Sequence, residues 1–196
     1  MQKRDAMIGT FLQSFSAATD ALVANLPISA GFIGVLFGIQ LINALCGYRL
    51  NTLGIWPRKP LGWIGIPFSP FLHGNFTHFI FNAVPLFAFS NFILLQGTRI
   101  FYAATVAIIL LSGILIWLFG RRGIHVGASA LIMGYLGFIL VGVYYHPTAL
   151  SIMVGGVCLF YFGGVLMNLL PSQDKRVSWE GHVYGFLAGV ITAYFI

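Results

Sequence analysis

Three short stretches of this chain place imidazole, hydroxyl and carboxamide groups inside apolar surroundings. They are HGNFTHFIFN from His73 to Asn82, HVGASALIMG from His125 to Gly134, and WEGHVYGFLAG from Trp179 to Gly189. A serine hydroxyl becomes nucleophilic when a base within hydrogen-bond reach takes its proton, so Ser129 and His182 form a candidate pair. Glu180 is two residues from His182 and faces elsewhere on a helix, so the pair reads as a dyad rather than a triad. Attack on a carbonyl creates an oxyanion that needs donors. The Ser129 backbone N–H, near a helix start, is one. His78 and Asn82 are four apart, hence on one helical face, and supply others.

Taken singly, each residue has a plainer reading. Ser129 is then a packing serine bonded to its own helix, His78 and His182 are satisfied bundle histidines, and Asn82 ties two helices. His125 and His146 fall at helix ends and keep the plain reading. Joint placement favours chemistry. Ser129 is seven residues past Arg122, and His182 is six past Arg176. At about 1.5 Å per residue both sit within roughly 10 Å of a basic anchor, at one depth.

The elements that must position these groups are six apolar segments, near 28–46, 76–95, 100–119, 128–145, 149–170 and 177–196. Each approaches the roughly 20 residues a helix needs to cross a bilayer. Residues 1–27 read as a separate, weakly amphipathic interfacial segment, and 28–196 as one membrane domain. The connection 47–75 is rich in Pro, Gly and aromatic residues; Trp56, Trp63 and Phe68 suit the membrane interface. Gly181, Gly185 and Gly189 form a small-residue stripe, as do Gly127, Ala130, Gly134 and Gly137, and such stripes let helices approach closely in lipid.

Composition agrees. Of 196 residues 59% are hydrophobic and 7% charged, with a mean hydropathy of +0.92; soluble domains carry about a quarter charged residues. The net charge of +6 comes from basic residues scattered in ones and twos at the ends of apolar runs. They read as lipid-headgroup contacts, not as a nucleic-acid surface. Cys46 and Cys158 read as small buried hydrophobes, and no metal motif or cleavable signal peptide is expected. Six crossings put the connections before helices two, four and six on one side. Seven basic residues lie there, and Lys3, Arg4 and Arg99 lie on the other. By the positive-inside rule that side faces the cytoplasm.

These motifs resemble the rhomboid intramembrane serine proteases. HGNFTHFIFN looks like the family's second-helix motif and carries over to His73, His78 and Asn82. GASA resembles its nucleophile motif, carrying over to Gly127 and Ser129. GHVYGFLAG resembles its final helix, carrying over to His182, Gly185 and Gly189. The resemblance implies an all-α membrane protein, a six-transmembrane-helix bundle with a membrane-lying first loop. It implies a Ser129 nucleophile, His182 as base and acid, and an oxyanion held by His78, Asn82 and the Ser129 amide. Substrates would be transmembrane segments of other proteins, with no metal or cofactor. The location would be a prokaryotic cell (inner) membrane, with the active site facing outward, against the charge count. The chain departs from the family at Ala130, where glycine is usual, at Met133, where tyrosine commonly packs on the histidine, and at Trp63, which Ile64 rather than arginine follows. The alternatives are a non-catalytic rhomboid-like protein that binds membrane clients, a small transporter, and a metal or haem protein using His78 and His182.

Overall fold

A computed structural model describes residues 2–166 and 179–196. The fold is all-α, with six α-helices among the described residues: α1 (Gln2–Leu45), α2 (Phe76–Leu94), α3 (Thr98–Phe119), α4 (Ser129–Tyr145), α5 (Ala149–Leu166) and α6 (Trp179–Ala193). Three are long and apolar enough to cross a membrane: α1 over Leu12–Leu45, α2 and α3. The apolar runs Ser129–Tyr145 and Ala149–Phe160 are shorter. Lys175, Arg176 and the rest of the connection 171–176 lie outside the described residues, as does the end of the fifth expected segment.

The first 27 residues do not form a separate element. One helix runs from Gln2 through Pro27 to Leu45. Its 44 residues span about 66 Å, roughly twice the hydrocarbon thickness. Ala, Leu and Gln keep helix propensity high before Pro27, and the proline removes one donor without ending the helix.

The centre of the molecule is α4. Residues Leu131 to Ile139 are buried without a break, and α4 touches α2, α3, α5 and α6. A helix enclosed on all sides must be apolar on all sides, which is why this stretch shows no amphipathic period. Its most extensive contact is with α6, and small residues make it. A Cβ at Gly185 would run into the Ala130 carbonyl, and one at Gly189 into the Gly134 carbonyl. Gly137 faces the Phe186 carbonyl less tightly, but a Cβ there would still stand only 2.6 Å from its oxygen.

Two pairs of polar side chains inside the bundle meet across helices. The Ser29 hydroxyl donates to Asn91 Oδ1 at 3.2 Å, joining α1 to α2. The Thr105 and Tyr135 hydroxyls meet at 2.6 Å, joining α3 to α4. Outward faces are apolar instead: Phe37, Phe81, Val106 and Phe160 are exposed, as lipid-facing positions should be.

The first connection docks on the end of α3. The Arg58 guanidinium donates to the Leu118 and Gly120 carbonyls at 3.2 and 2.7 Å, where a cation also suits the helix C-terminus. Trp117 Nε1–H donates to the Lys59 carbonyl at 3.2 Å. The two cysteines differ from expectation in one respect. Cys158 is buried, but Cys46 is exposed, because it follows the last turn of α1 and no element covers it.

Substituting alanine at Gly189 is expected to force α4 and α6 apart and to cost about 1–3 kcal/mol, as overpacking does. Gly38→Ala is the control, since a Cβ there meets nothing within 4 Å. Thermal melts of both variants in detergent check this; equal midpoints would refute the close-approach account.

Candidate active site

Helix α2 begins on Asn75, whose side-chain oxygen accepts the His78 backbone N–H at 2.7 Å. Asparagine is a strong N-cap, and here it fixes the turn that carries His78. The Gly74 N–H approaches His78 Nδ1 at 3.5 Å. In that contact Nδ1 is the acceptor, and the tautomer that suits it carries the ring proton on Nε2. Nε2 in turn lies over Gly127, where a Cβ would stand 2.9 Å from it. Gly127 also has φ +118, so both backbone conformation and the neighbouring ring demand glycine.

Ser129 is the first residue of α4, and Ala128 before it gives no side-chain cap. The Ser129 N–H therefore has no acceptor within its own helix. The turn that delivers it, 120–128, is pinned at two points. Gly127 N–H donates to the Ser69 carbonyl at 2.9 Å. His125 and Ile55 exchange two backbone hydrogen bonds, at 2.9 and 3.0 Å.

On α6, His182 is buried and lies within electrostatic reach of His78. Gly181, one residue earlier, shares with Ser129 the wall of a cavity of about 30 Å³, which Ser69, Ser112 and His125 also line. Ser129, His78 and the start of α6 thus meet at one end of α4. Among the described residues the Ser129 hydroxyl itself makes no hydrogen bond. Asn82 is buried one turn along α2, but one of its amide hydrogens goes to the His78 carbonyl at 2.7 Å. Its carboxamide is turned onto its own helix, and its second amide hydrogen is the one left for another acceptor.

The remaining expected residues play packing parts. Gly185 and Gly189 seat α6 on α4. Met133 is fully buried within α4. His73 is fully buried too, edge-on to His78 and Phe79 with ring centroids 5.2 and 5.5 Å away. Its carbonyl accepts the Asn43 and Asn51 amides at 3.3 and 3.4 Å, so α1 and the first connection both hold the approach to α2. Burial drives the His73 pKa down to about 3; the neighbouring His78 adds to this, and the Phe71 backbone offsets only part. Burial likewise lowers the pKa of His125, against the pull of the Arg121 carbonyl and Glu180. Two contributors escape sequence reasoning. Ser69 works through its backbone, which leaves no residue-type signal. His125 is a lone histidine at a helix end, yet it closes the wall of the cavity. Among the described residues, no three His, Cys, Asp or Glu side chains gather where they could hold a metal ion.

The family model of the rhomboid domain matches residues 60–196. Curated relatives include "Uncharacterized protein Rv1337" of Mycobacterium tuberculosis, 39% identical over 173 residues, which is 84% of this chain and 72% of the relative. "Uncharacterized protein ML1171" of Mycobacterium leprae is 34% identical over 173 residues, 84% of this chain and 68% of the relative.

His73 generates a pH prediction. Its folded pKa of about 3 lies below the ordinary 6.5, so between these values the unfolded chain binds a proton that the folded chain refuses. Its share of stability is intact above pH 6.5 and falls as pH drops, by about 2 kcal/mol at pH 5. Thermal midpoints measured from pH 7 to 5 should fall, and less steeply in His73→Phe, which keeps the aromatic packing. An unchanged slope in that variant would assign the acid sensitivity to other groups.

Proposed function

The chain belongs to the rhomboid family, and from that membership and the placement of Ser129 we propose that it is an intramembrane serine endopeptidase. It cleaves transmembrane segments of other membrane proteins through a Ser129–His182 dyad. The observation that carries this reading is that α2, α4 and α6 deliver His78, Ser129 and His182 to one end of the bundle. Six helices then cross the bilayer of a bacterial cell membrane, with lipid around their apolar faces.

In the first step, Ser129 Oγ bonds to the substrate carbonyl carbon while its proton passes to an imidazole nitrogen of His182. Negative charge collects on the former carbonyl oxygen. The Ser129 N–H at the start of α4, the His78 Nε2–H and the second Asn82 amide hydrogen are its donors. Collapse breaks the C–N bond, and His182 returns its proton to the leaving amine. Water then attacks the acyl-enzyme by the same route, with His182 again as base. The unengaged serine hydroxyl suits a resting site, because catalytic hydrogen bonds often tighten only when substrate is bound. The peptide bond attacked must be outside regular helix, since an intact helix occupies its own carbonyls.

The rival within the family is a non-catalytic protein that binds membrane clients. Ser129 and His182 are both present here, and a purely binding protein needs neither as nucleophile or base. Orientation is open to direct measurement. The basic side turns the site to the cytoplasm, the family's usual six-helix arrangement turns it outward, and protease access to a tag at Met1 in sealed vesicles separates them.

A fluorescent fluorophosphonate is expected to label the parent protein but not Ser129→Ala or His182→Ala, all three remaining folded. On a cleavable transmembrane substrate, Asn82→Ala should lose about 10²-fold in rate, the usual cost of one oxyanion donor. Equal labelling of Ser129→Ala would overturn the mechanism. A folded parent that neither labels nor cleaves would favour the client-binding reading.

A further inference from the structure

Glu180 is the chain's only glutamate. It lies in the first turn of α6 and is only 8% exposed. A carboxylate so enclosed costs several kcal/mol unless a partner compensates it, and inside a membrane protein such a residue marks a function. The partner is Arg121, whose Nε lies 3.7 Å from Glu180 Oε2. Arg121 belongs to the turn that delivers Ser129. His125, on the same turn, is near enough to feel the charge of this carboxylate, and its ring Nε2 meets the Arg121 carbonyl at 3.0 Å. Glu180 therefore reaches from the histidine-bearing helix to the serine-bearing turn through the Arg121 pair.

What this adds to the glycine contacts is direction. Gly185 and Gly189 set how near α6 comes to α4, but contacts without side chains resist rotation of a helix only weakly. Glu180 and His182 are two residues apart, or about 200° around the helix. Holding one of them to a fixed partner fixes the direction in which the other points.

We propose that Glu180 is a positioning residue for the catalytic pair: paired with Arg121, its carboxylate docks the first turn of α6 on the turn carrying Ser129 and sets the angle at which His182 meets the serine hydroxyl. The proposal rests on the Ser129–His182 reading given above. Glu180 takes no proton from His182 and touches no substrate; its effect passes through the helix it anchors. A small misplacement of a base is enough to matter, since an error of about 1 Å in a catalytic group costs up to 10²-fold.

The test uses the full-length protein in detergent and in liposomes. Glu180→Gln keeps the shape and removes the charge; Arg121→Ala removes the partner; Arg121→Lys keeps a cation. For each, the rate of fluorophosphonate labelling, kcat and KM on a transmembrane substrate, and the thermal midpoint are measured. Glu180→Gln and Arg121→Ala are each expected to lower labelling rate and kcat by about 10- to 100-fold, with KM and midpoint near the parent's. Arg121→Lys should restore most of the loss, and the Glu180→Gln/Arg121→Ala double variant should fall no further than either single one. Parent-like labelling in Glu180→Gln overturns the proposal. So does a loss that only tracks the fraction of folded protein, or a double variant whose loss is the product of the singles. A parent without Ser129-dependent labelling or cleavage removes the dyad itself, a separate failure visible before any Glu180 variant is compared.

Discussion

Two helix backbones in direct contact are the constraint on which the rest of this structure depends. Lipid tails are as apolar as leucine, so no hydrophobic force drives α6 onto α4; van der Waals contact must do so, and its strength rises with closeness. Gly185 against the Ala130 carbonyl and Gly189 against the Gly134 carbonyl bring α6 as close as backbones can come. One consequence is local to the site. His182 lies one turn before Gly185 on α6, and Ser129 immediately precedes Ala130 on α4, so one of the two closest backbone approaches between these helices lies next to the proposed dyad. Ala130 fits this view. The α6 glycine faces the backbone of that residue, so one methyl in place of the family's usual glycine leaves the close approach intact.

The same economy governs the polar groups. A buried hydroxyl or amide without a partner costs more than a made hydrogen bond gains. Ser29 with Asn91, and Thr105 with Tyr135, are each satisfied across a helix interface and so tie α1 to α2 and α3 to α4. Asn43 and Asn51 do the same for the His73 carbonyl at the entrance to α2. The site inherits its rigidity from these ties. His78 cannot drift while Asn75 caps its turn, His73 packs on its ring and Gly127 lies beneath it.

Much of this was legible in the sequence, and the exceptions have physical causes. The segments 76–95, 100–119 and 128–145 correspond closely to α2, α3 and α4, because length and apolarity alone define a membrane-sized helix. Gly134, Gly137, Gly185 and Gly189 were legible as packing positions, but Gly127, expected on the same stripe, precedes α4 with φ +118 and lies against the His78 ring instead. The start of α1 was not legible, since the mixed, weakly amphipathic composition of residues 1–27 marks no membrane-sized helix, and a helix outside the apolar core depends on propensity. Cys46 was misjudged because proximity to an apolar run says nothing about what covers its end. Asn82 was legible as a buried amide on the face of His78, but not its bond to the His78 carbonyl; residue spacing gives a face, not a rotamer. His125 and Glu180 were set aside because each is unremarkable on its own helix or turn, and their significance arises only when the chain brings them together.

The three sets of groups at the site are held in different ways, and the difference bears on mechanism. The donors proposed for the oxyanion rest on fixed backbone: a helix N-terminus that cannot move without α4, and an imidazole held by a cap, a glycine and a ring contact. The serine hydroxyl can rotate about one bond. His182, the proposed base, stands on the first turn of a helix that is seated by glycines and joined to the turn before α4 by a charged pair. Electrostatic stabilisation gains most from groups that need no reorganisation when charge appears, whereas a proton acceptor needs only to be in reach at the moment of attack. A resting site with donors already in place and the hydroxyl not yet engaged is therefore the arrangement expected if substrate entry completes the nucleophile, with the charge-stabilising half built in advance.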